Sequence, residues 1–305
     1  MLSCKHENAY YGSDHDIMTT TLFIGILCMF AGVAAQNETC GRQVFPPHKH
    51  PGTRVVGGQV SIPHSWPWMV LLRFRSNSIS CGGSLIRGSD GDLVVVTAGH
   101  CIDGMSYNPA DWKIIVGMHS RSAQEPNQQE YGVGSIVVHP NFNFQFLDDD
   151  IAIMKPAWKI VENDYVQPIC LTKVDSNTLV GKQCVISGWG SDQQGGPPVD
   201  QLHEVYKPIL SDTDCTGALG IFGYNGATML CAGNLVSGGV DSCSYDSGIP
   251  FACKNSDGAW EMVGVSSWGY GCAQPGYPGV YTEVHNVLQW IAENSHTSGS
   301  GTVVG

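Results

Sequence analysis

Apolar residues in this chain fall in short runs separated by turn residues. The clearest are "WMVLLRF" (68–74), "DLVVVTA" (92–98), "KIIVG" (113–117), "SIVVHP" (135–140), "DIAIMK" (150–155), "CVISGWG" (184–190), "MVGVSSWG" (262–269) and "GVYTEV" (279–284). Most are of strand length and rich in Val and Ile, whose branched side chains suit a pleated, half-buried surface. Their recurrence predicts an all-β chain with barrel or sandwich closure. Only "HNVLQWIAEN" (285–294) has helical spacing, with Val287, Leu288 and Ile291 on one face. No internal repeat has a convincing period. The tail at 295–305 is rich in Ser and Gly and is expected to be loose.

The start of the chain has a different pattern. From Met18 it reads "MTTTLFIGILCMFAGVAAQ", an apolar run from Leu22 to Val33 followed by small residues suited to cleavage after Ala35. Residues 1–35 are therefore read as a leader, with Met18 as the working start. The run is short for a full bilayer span. Asn37-Glu38-Thr39 is a glycosylation sequon, usable only in a secreted chain. The stretch "GRQVFPPHKHPGTR" (41–54) is rich in proline, glycine and basic residues and reads as an exposed linker.

Composition narrows the class. Hydrophobic residues make up 42% of the 305 and charged residues 14%, with 38 glycines, which describes a turn-rich globular protein. A formal charge of −12 repels nucleic acid and anionic membranes, so neither is expected as a partner, and a cationic substrate fits better. There are 12 cysteines and no C-x-x-C pair. That pattern argues for disulfides over zinc, hence an oxidising compartment and secretion.

Four stretches carry chemistry when they are read together. "VVTAGHC" puts His100 at the end of an apolar strand, and "LDDDIAIMK" puts Asp150 at the start of another. "DSCSYDSGIP" holds Ser247, and "RVVGG" (54–58) follows the linker. In this order and with these neighbours they resemble the trypsin/chymotrypsin family of serine endopeptidases, over about residues 40 to 294. The resemblance implies two packed six-stranded antiparallel β-barrels, about 55–165 and 166–284, with a short C-terminal α-helix at 285–294. It makes 36–54 a propeptide and 55–294 the peptidase domain. Ser247 becomes the nucleophile, because a serine hydroxyl is a poor one until a nearby base takes its proton. His100 is then the base and Asp150 holds the imidazole. The backbone N–H groups of Tyr245 and Ser247 form the oxyanion hole.

The same resemblance assigns the rest of the site. Ser267, Trp268 and Gly269 would pair an extended peptide by strand addition. Asp241, beside Ser242, matches the pocket floor, with Gly269 and Gly279 as open walls. A buried carboxylate there calls for a cation, so cleavage after Arg or Lys is expected. Cutting after Arg54 would free the Val55 amine to insert beside Asp246, so the intact chain would be a zymogen. The implied disulfides are Cys40–Cys170, Cys81–Cys101, Cys184–Cys253, Cys215–Cys231 and Cys243–Cys272, the first tethering the cut propeptide. The implied partners are protein or peptide substrates, an activating trypsin-like protease and protein inhibitors, with a monomer as the default. No cofactor is implied.

The chain departs from the family pattern in several places. Gly99 replaces an alanine before the histidine. Tyr245 and Ile249 replace two glycines around the nucleophile, and a residue with a Cβ must hold the Tyr245 amide in the donating orientation. In calcium-binding members the loop after "IIVG" carries acidic ligands, but here Met118 and Gln128 stand at two such positions. Glu125 alone makes a poor cage for a hard cation, so no metal is expected and His119 is read as solvated. Tyr245 supports a second reading, a serine-protease homologue that binds a partner without cutting.

Overall fold

The computed structural model describes residues 40–48, 58–75, 78–191, 195–237, 245–271 and 274–297, apart from the side chains of 78–80. After a two-residue strand, β1 (Gln59–Val60), come β2 (Met69–Phe74), β3 (Ser78–Arg87), β4 (Leu93–Thr97), β5 (Trp112–Val116), β6 (Gln129–Val138) and β7 (Ala152–Pro156). These last six close into a barrel in the order β2-β3-β4-β7-β6-β5. Closure removes the sheet edges, and β4 is buried at all five positions, so its outward-facing side chains are covered as well as those facing into the barrel. That burial explains why its sequence is continuously apolar instead of alternating.

The second sheet contains β8 (Cys170–Leu171), β9 (Gln183–Gly188), β10 (His203–Pro208), β11 (Met229–Ala232), β12 (Pro250–Lys254), β13 (Trp260–Trp268) and β14 (Gly279–Glu283). Its path is β1-β10-β9-β12-β13-β14-β11, with β8 added in parallel to β13. The two ends of the six-strand stretch meet through an antiparallel bridge between Ile209 and Ala232. Leu210 N–H donates to the Cys231 carbonyl at 3.0 Å beside that bridge. One contiguous core runs through both sheets, with Trp68, Trp112, Phe251 and Tyr281 among its largest fully buried side chains.

Three α-helices are described: α1 (Gly99–Asp103), α2 (Asp212–Leu219) and α3 (Val284–Asn294). α3 covers the expected C-terminal helix and buries Val287 and Ile291, with Leu288 partly buried. α2 has no apolar stripe in its sequence. It is started by the Ser211 side chain, which caps the Asp214 N–H, and fixed beneath by the Cys215–Cys231 disulfide. The other described disulfides are Cys40–Cys170, Cys81–Cys101 and Cys184–Cys253. The pair Cys243–Cys272 lies outside the described residues.

The linker expectation holds for exposure at Arg42, Val44, Pro46 and His48, and is corrected where the start of the segment is tied down, at Gly41 and Gln43. This segment docks on the second sheet: Trp260 N–H donates to the Gly41 carbonyl at 2.9 Å, and Trp260 Nε1 donates to Gln43 Oε1 at 2.8 Å. Gly41 sits at φ +64, and a Cβ there would fall 2.7 Å from the Trp260 nitrogen. Only glycine allows so close a backbone approach. The proline-rich composition carries no signal for these contacts.

Candidate active site

His100 sits in α1, which starts where β4 ends. Gly99 lies against Phe142, and a Cβ at Gly99 would come within 3.1 Å of that ring and 3.3 Å of Asp150 Oδ1. The glycine that departs from the usual alanine therefore makes room for a phenylalanine. Asp150 is fully buried just before β7. Its carboxylate accepts the His100 backbone N–H at 2.8 Å and faces His100 Nδ1 at 2.7 Å. Ser267 Oγ donates to the same carboxylate at 2.5 Å, and Thr282 Oγ1 donates to the Asp150 carbonyl at 2.8 Å. A buried carboxylate demands such partners, and here they come from both sheets.

The contact from Ser267 to Asp150 is one that sequence reasoning missed. Ser267 was expected to be a substrate-pairing residue only. The pairing of β13 with β14 slips between Ser266 and Trp268, so Ser267 is the extra residue of a bulge. A bulge re-aims a side chain, and this one turns the hydroxyl inward. No pattern in "SSWGYGC" marks the slip.

Ser247 is positioned by backbone packing. Gly82 N–H donates to the Ser247 carbonyl at 2.9 Å, and Gly248 N–H donates to the Ser266 carbonyl at 2.8 Å. Gly248 lies at φ +83, and a Cβ there would fall 2.6 Å from the Gly82 oxygen and 2.9 Å from the Ala98 nitrogen. The nucleophile candidate is thus pressed against the strand end that leads into His100. Among the described hydrogen bonds, none joins the Ser247 hydroxyl to the His100 ring.

Tyr245 adopts φ +76, a left-handed conformation that costs a residue with a Cβ about 1–2 kcal/mol. Its side chain is 40% exposed, so the ring stands in solvent and not in the core. Ile249 is 1% exposed. Its side chain fills the space beside two glycines: a Cβ on Gly82 would collide with Ile249 Cγ2, and one on Gly188 would come within 2.8 Å of Ile249 Cδ1. Asp246 is likewise seated against glycines, with its Oδ1 accepting the Gly190 N–H at 2.8 Å.

Gly269 and Gly279 face one another: a Cβ built on Gly269 would lie 4.0 Å from the Gly279 Cα, an ordinary contact. Trp268 is half-buried beside Gly269, which is exposed. Asp241, Ser242, Arg54 and Val55 lie outside the described residues, as do the leader and the sequon.

The histidine expectation at 119 is corrected. His119 is 5% exposed, not solvated. Burial pushes its imidazole below the usual range, with Glu125 and Asp200 opposing and His64 and His203 adding to the effect. Its carbonyl accepts the Trp189 Nε1 at 2.9 Å, which draws the loop into the protein. Among the described residues, one trio of ligand-type side chains converges within 4.8 Å, namely Cys81, His100 and Cys101. The two sulfurs are joined in a disulfide, so that trio offers no thiolate to a metal.

Comparison with known proteins agrees with this geometry. A family model described as Trypsin matches residues 55–291. A curated relative, "Transmembrane protease serine 9" of Rattus norvegicus, is 38% identical over 242 residues, which is 79% of this chain and 22% of the relative. The chain thus spans about a fifth of that protein's length.

Proposed function

Because this chain belongs to the trypsin family of serine endopeptidases, we propose that it is a secreted zymogen that, once cut between Arg54 and Val55, cleaves polypeptides after Arg or Lys. Its protease class follows from the family. The finer assignments rest on residue chemistry, and the observation that supports the catalytic reading is the buried Asp150 carboxylate held against His100 Nδ1 at 2.7 Å. That contact keeps the proton on Nδ1 and leaves Nε2 free to act as a base. His100 takes the proton of Ser247 as its Oγ attacks the peptide carbonyl, then gives it to the leaving amine, while Asp150 steadies the charged imidazole. The N–H groups of Tyr245 and Ser247 receive the developing oxyanion.

Asp241 binds the cationic side chain, with Gly269 and Gly279 as walls that carry no side chain; a Cβ on Gly269 would lie 4.0 Å from the Gly279 Cα. The Val55 amine reaches Asp246, whose carboxylate already accepts the Gly190 N–H in the uncut chain. Secretion rests on the leader reading and the disulfide usage. Among the described residues, no helix is long and apolar enough to cross a membrane.

The test is to cut at Arg54, confirm Val55 as the new terminus, and treat with a fluorophosphonate. Labelling at Ser247, with turnover of Arg-ending but not Phe-ending substrates, is the expected outcome. Asp241→Ser should abolish that preference, and its persistence would remove the pocket assignment. The second reading, a non-cutting homologue, draws on the strained Tyr245 backbone. Absence of both label and turnover in the correctly cut chain would leave only that reading.

A further inference from the structure

We propose that Lys207 is a specificity-determining residue: its positive charge, buried in the second sheet at the base of the substrate pocket, weakens the pocket's preference for a cationic side chain. The inference rests on the proposed reading of Gly269 and Gly279 as walls of a pocket that receives Arg or Lys. Lys207 lies in β10, opposite Cys184 of β9. It is 1% exposed and is the one charged member of the largest fully buried side chains described. A lysine is almost never buried to this extent as an ordinary part of a core.

Ring contacts place the charge. Lys207 Nζ lies 5.0 Å from the centroid of the Tyr281 ring and 6.0 Å from that of Phe251. The two rings are stacked, 4.6 Å apart with their planes 21° from parallel. An ammonium over aromatic faces is attracted by their quadrupoles, which offsets part of the cost of leaving water. Tyr281 stands two residues after Gly279 in β14. Residues two apart in a strand face the same side, so the Tyr281 ring continues the Gly279 wall. Packing agrees: Val280 between them joins Cys215 and Cys231, whereas Tyr281 belongs to the main core.

Charge and distance fix the direction of the effect. Two strand residues span about 7 Å, so a cationic side chain that passes Gly269 and Gly279 and extends along this face ends on the order of 10 Å from the ammonium. At an effective dielectric near 20, like charges at about that distance oppose one another by roughly tenfold in affinity. A neutral side chain of the same shape meets no such opposition. Lys207 therefore narrows the margin between Arg and a neutral residue without reversing it. A methionine of similar length would fill the same space without the charge, so volume alone does not call for lysine here.

The experiment uses the full chain cut after Arg54, unaltered and as Lys207→Met, Lys207→Gln and Lys207→Arg. One readout is benzamidine affinity by calorimetry, which needs no turnover and so does not depend on Ser247 acting as a nucleophile. The other is kcat/KM on matched esters ending in Arg or in citrulline, its uncharged isostere. Lys207→Met should raise benzamidine affinity and the Arg-to-citrulline ratio roughly tenfold, with the gain for Arg in KM and the citrulline rate unchanged. Lys207→Arg keeps the charge and should leave both readouts near the unaltered values. Unchanged or lowered values in Lys207→Met, or an equal gain in Lys207→Arg, would overturn the inference while the cation pocket stands. Lys207→Gln decides if Lys207→Met fails to fold. No benzamidine binding by any of the chains would remove the cation pocket itself, and this inference with it.

Discussion

The two halves of the candidate active centre are held by different physics. Around Asp150 the restraint is directional, since one carboxylate takes a backbone N–H, an imidazole and a hydroxyl from separate elements. Around Ser247 the restraint is steric, since Gly82, Gly188 and Gly190 leave room that Asp246 and Ile249 fill, and Gly248 lets the backbone close on Gly82 and Ala98. Hydrogen bonds can set an angle for a proton transfer. Close packing sets a position and tolerates novelty wherever the volumes still match. Of the two departures beside the nucleophile candidate, Ile249 fits that packing, while Tyr245 stands in solvent.

The sharpest way to break the directional half is Asp150→Asn. The amide preserves shape but presents N–H where His100 needs an acceptor, favouring the wrong tautomer. A loss of about 10⁴ in kcat is expected, the size that the equivalent substitution has in trypsin-type enzymes. The measurement is kcat on an Arg-ending ester after cutting at Arg54. A loss under about tenfold would mean that His100 does not depend on Asp150 for its orientation.

The steric half is probed by a double-mutant cycle. Gly82→Ala drives a methyl into Ile249 Cγ2, and overpacking of that kind costs about 1–3 kcal/mol. Ile249→Ala empties a fully buried site at about 2–5 kcal/mol. The pair should be more stable than the two losses predict, because the second change vacates the space the first one needs. A favourable coupling of about 0.5–3 kcal/mol in chemical denaturation is expected. Simple additivity would show that Ile249 is not seated against Gly82.

Much of this was legible in the residues. The apolar runs announced the strands that are buried through their length, such as Leu93–Thr97, and the helical spacing at 285–294 announced α3. Strands with mixed or glycine-rich sequences did not stand out. β3, read as "SISCGGSLIR", and β10, "HEVYKP", are defined by their partners and not by their own patterns. At the site, residue identity pointed to His100 and Asp150, which the fold brings together. It could not reveal that Ser267 turns inward, because a register slip depends on how two strands meet. Nor could it place Ile249 in the core, which requires Gly82 and Gly188 to be near it in space. His119 misled because a histidine in a polar loop looks exposed until the loop is seen to fold under itself.

The smallest expected effect bears on the most conspicuous departure. Tyr245 takes φ +76, the region glycine enters without steric cost, so the backbone here follows the path a glycine would take. If that path carries the oxyanion donor, removing the side chain cannot supply what is already present. Tyr245→Gly should then change kcat on a short ester substrate by no more than about threefold, against the roughly 10²–10³ that a missing donor costs. The exposed phenol ring should matter instead for size, and its removal should tighten binding of bulky protein inhibitors. A rise in kcat of about a hundredfold on the short substrate would mean that the tyrosine holds the amide out of place. In that case the packing around Ser247 would tolerate the new residue only at the expense of the chemistry.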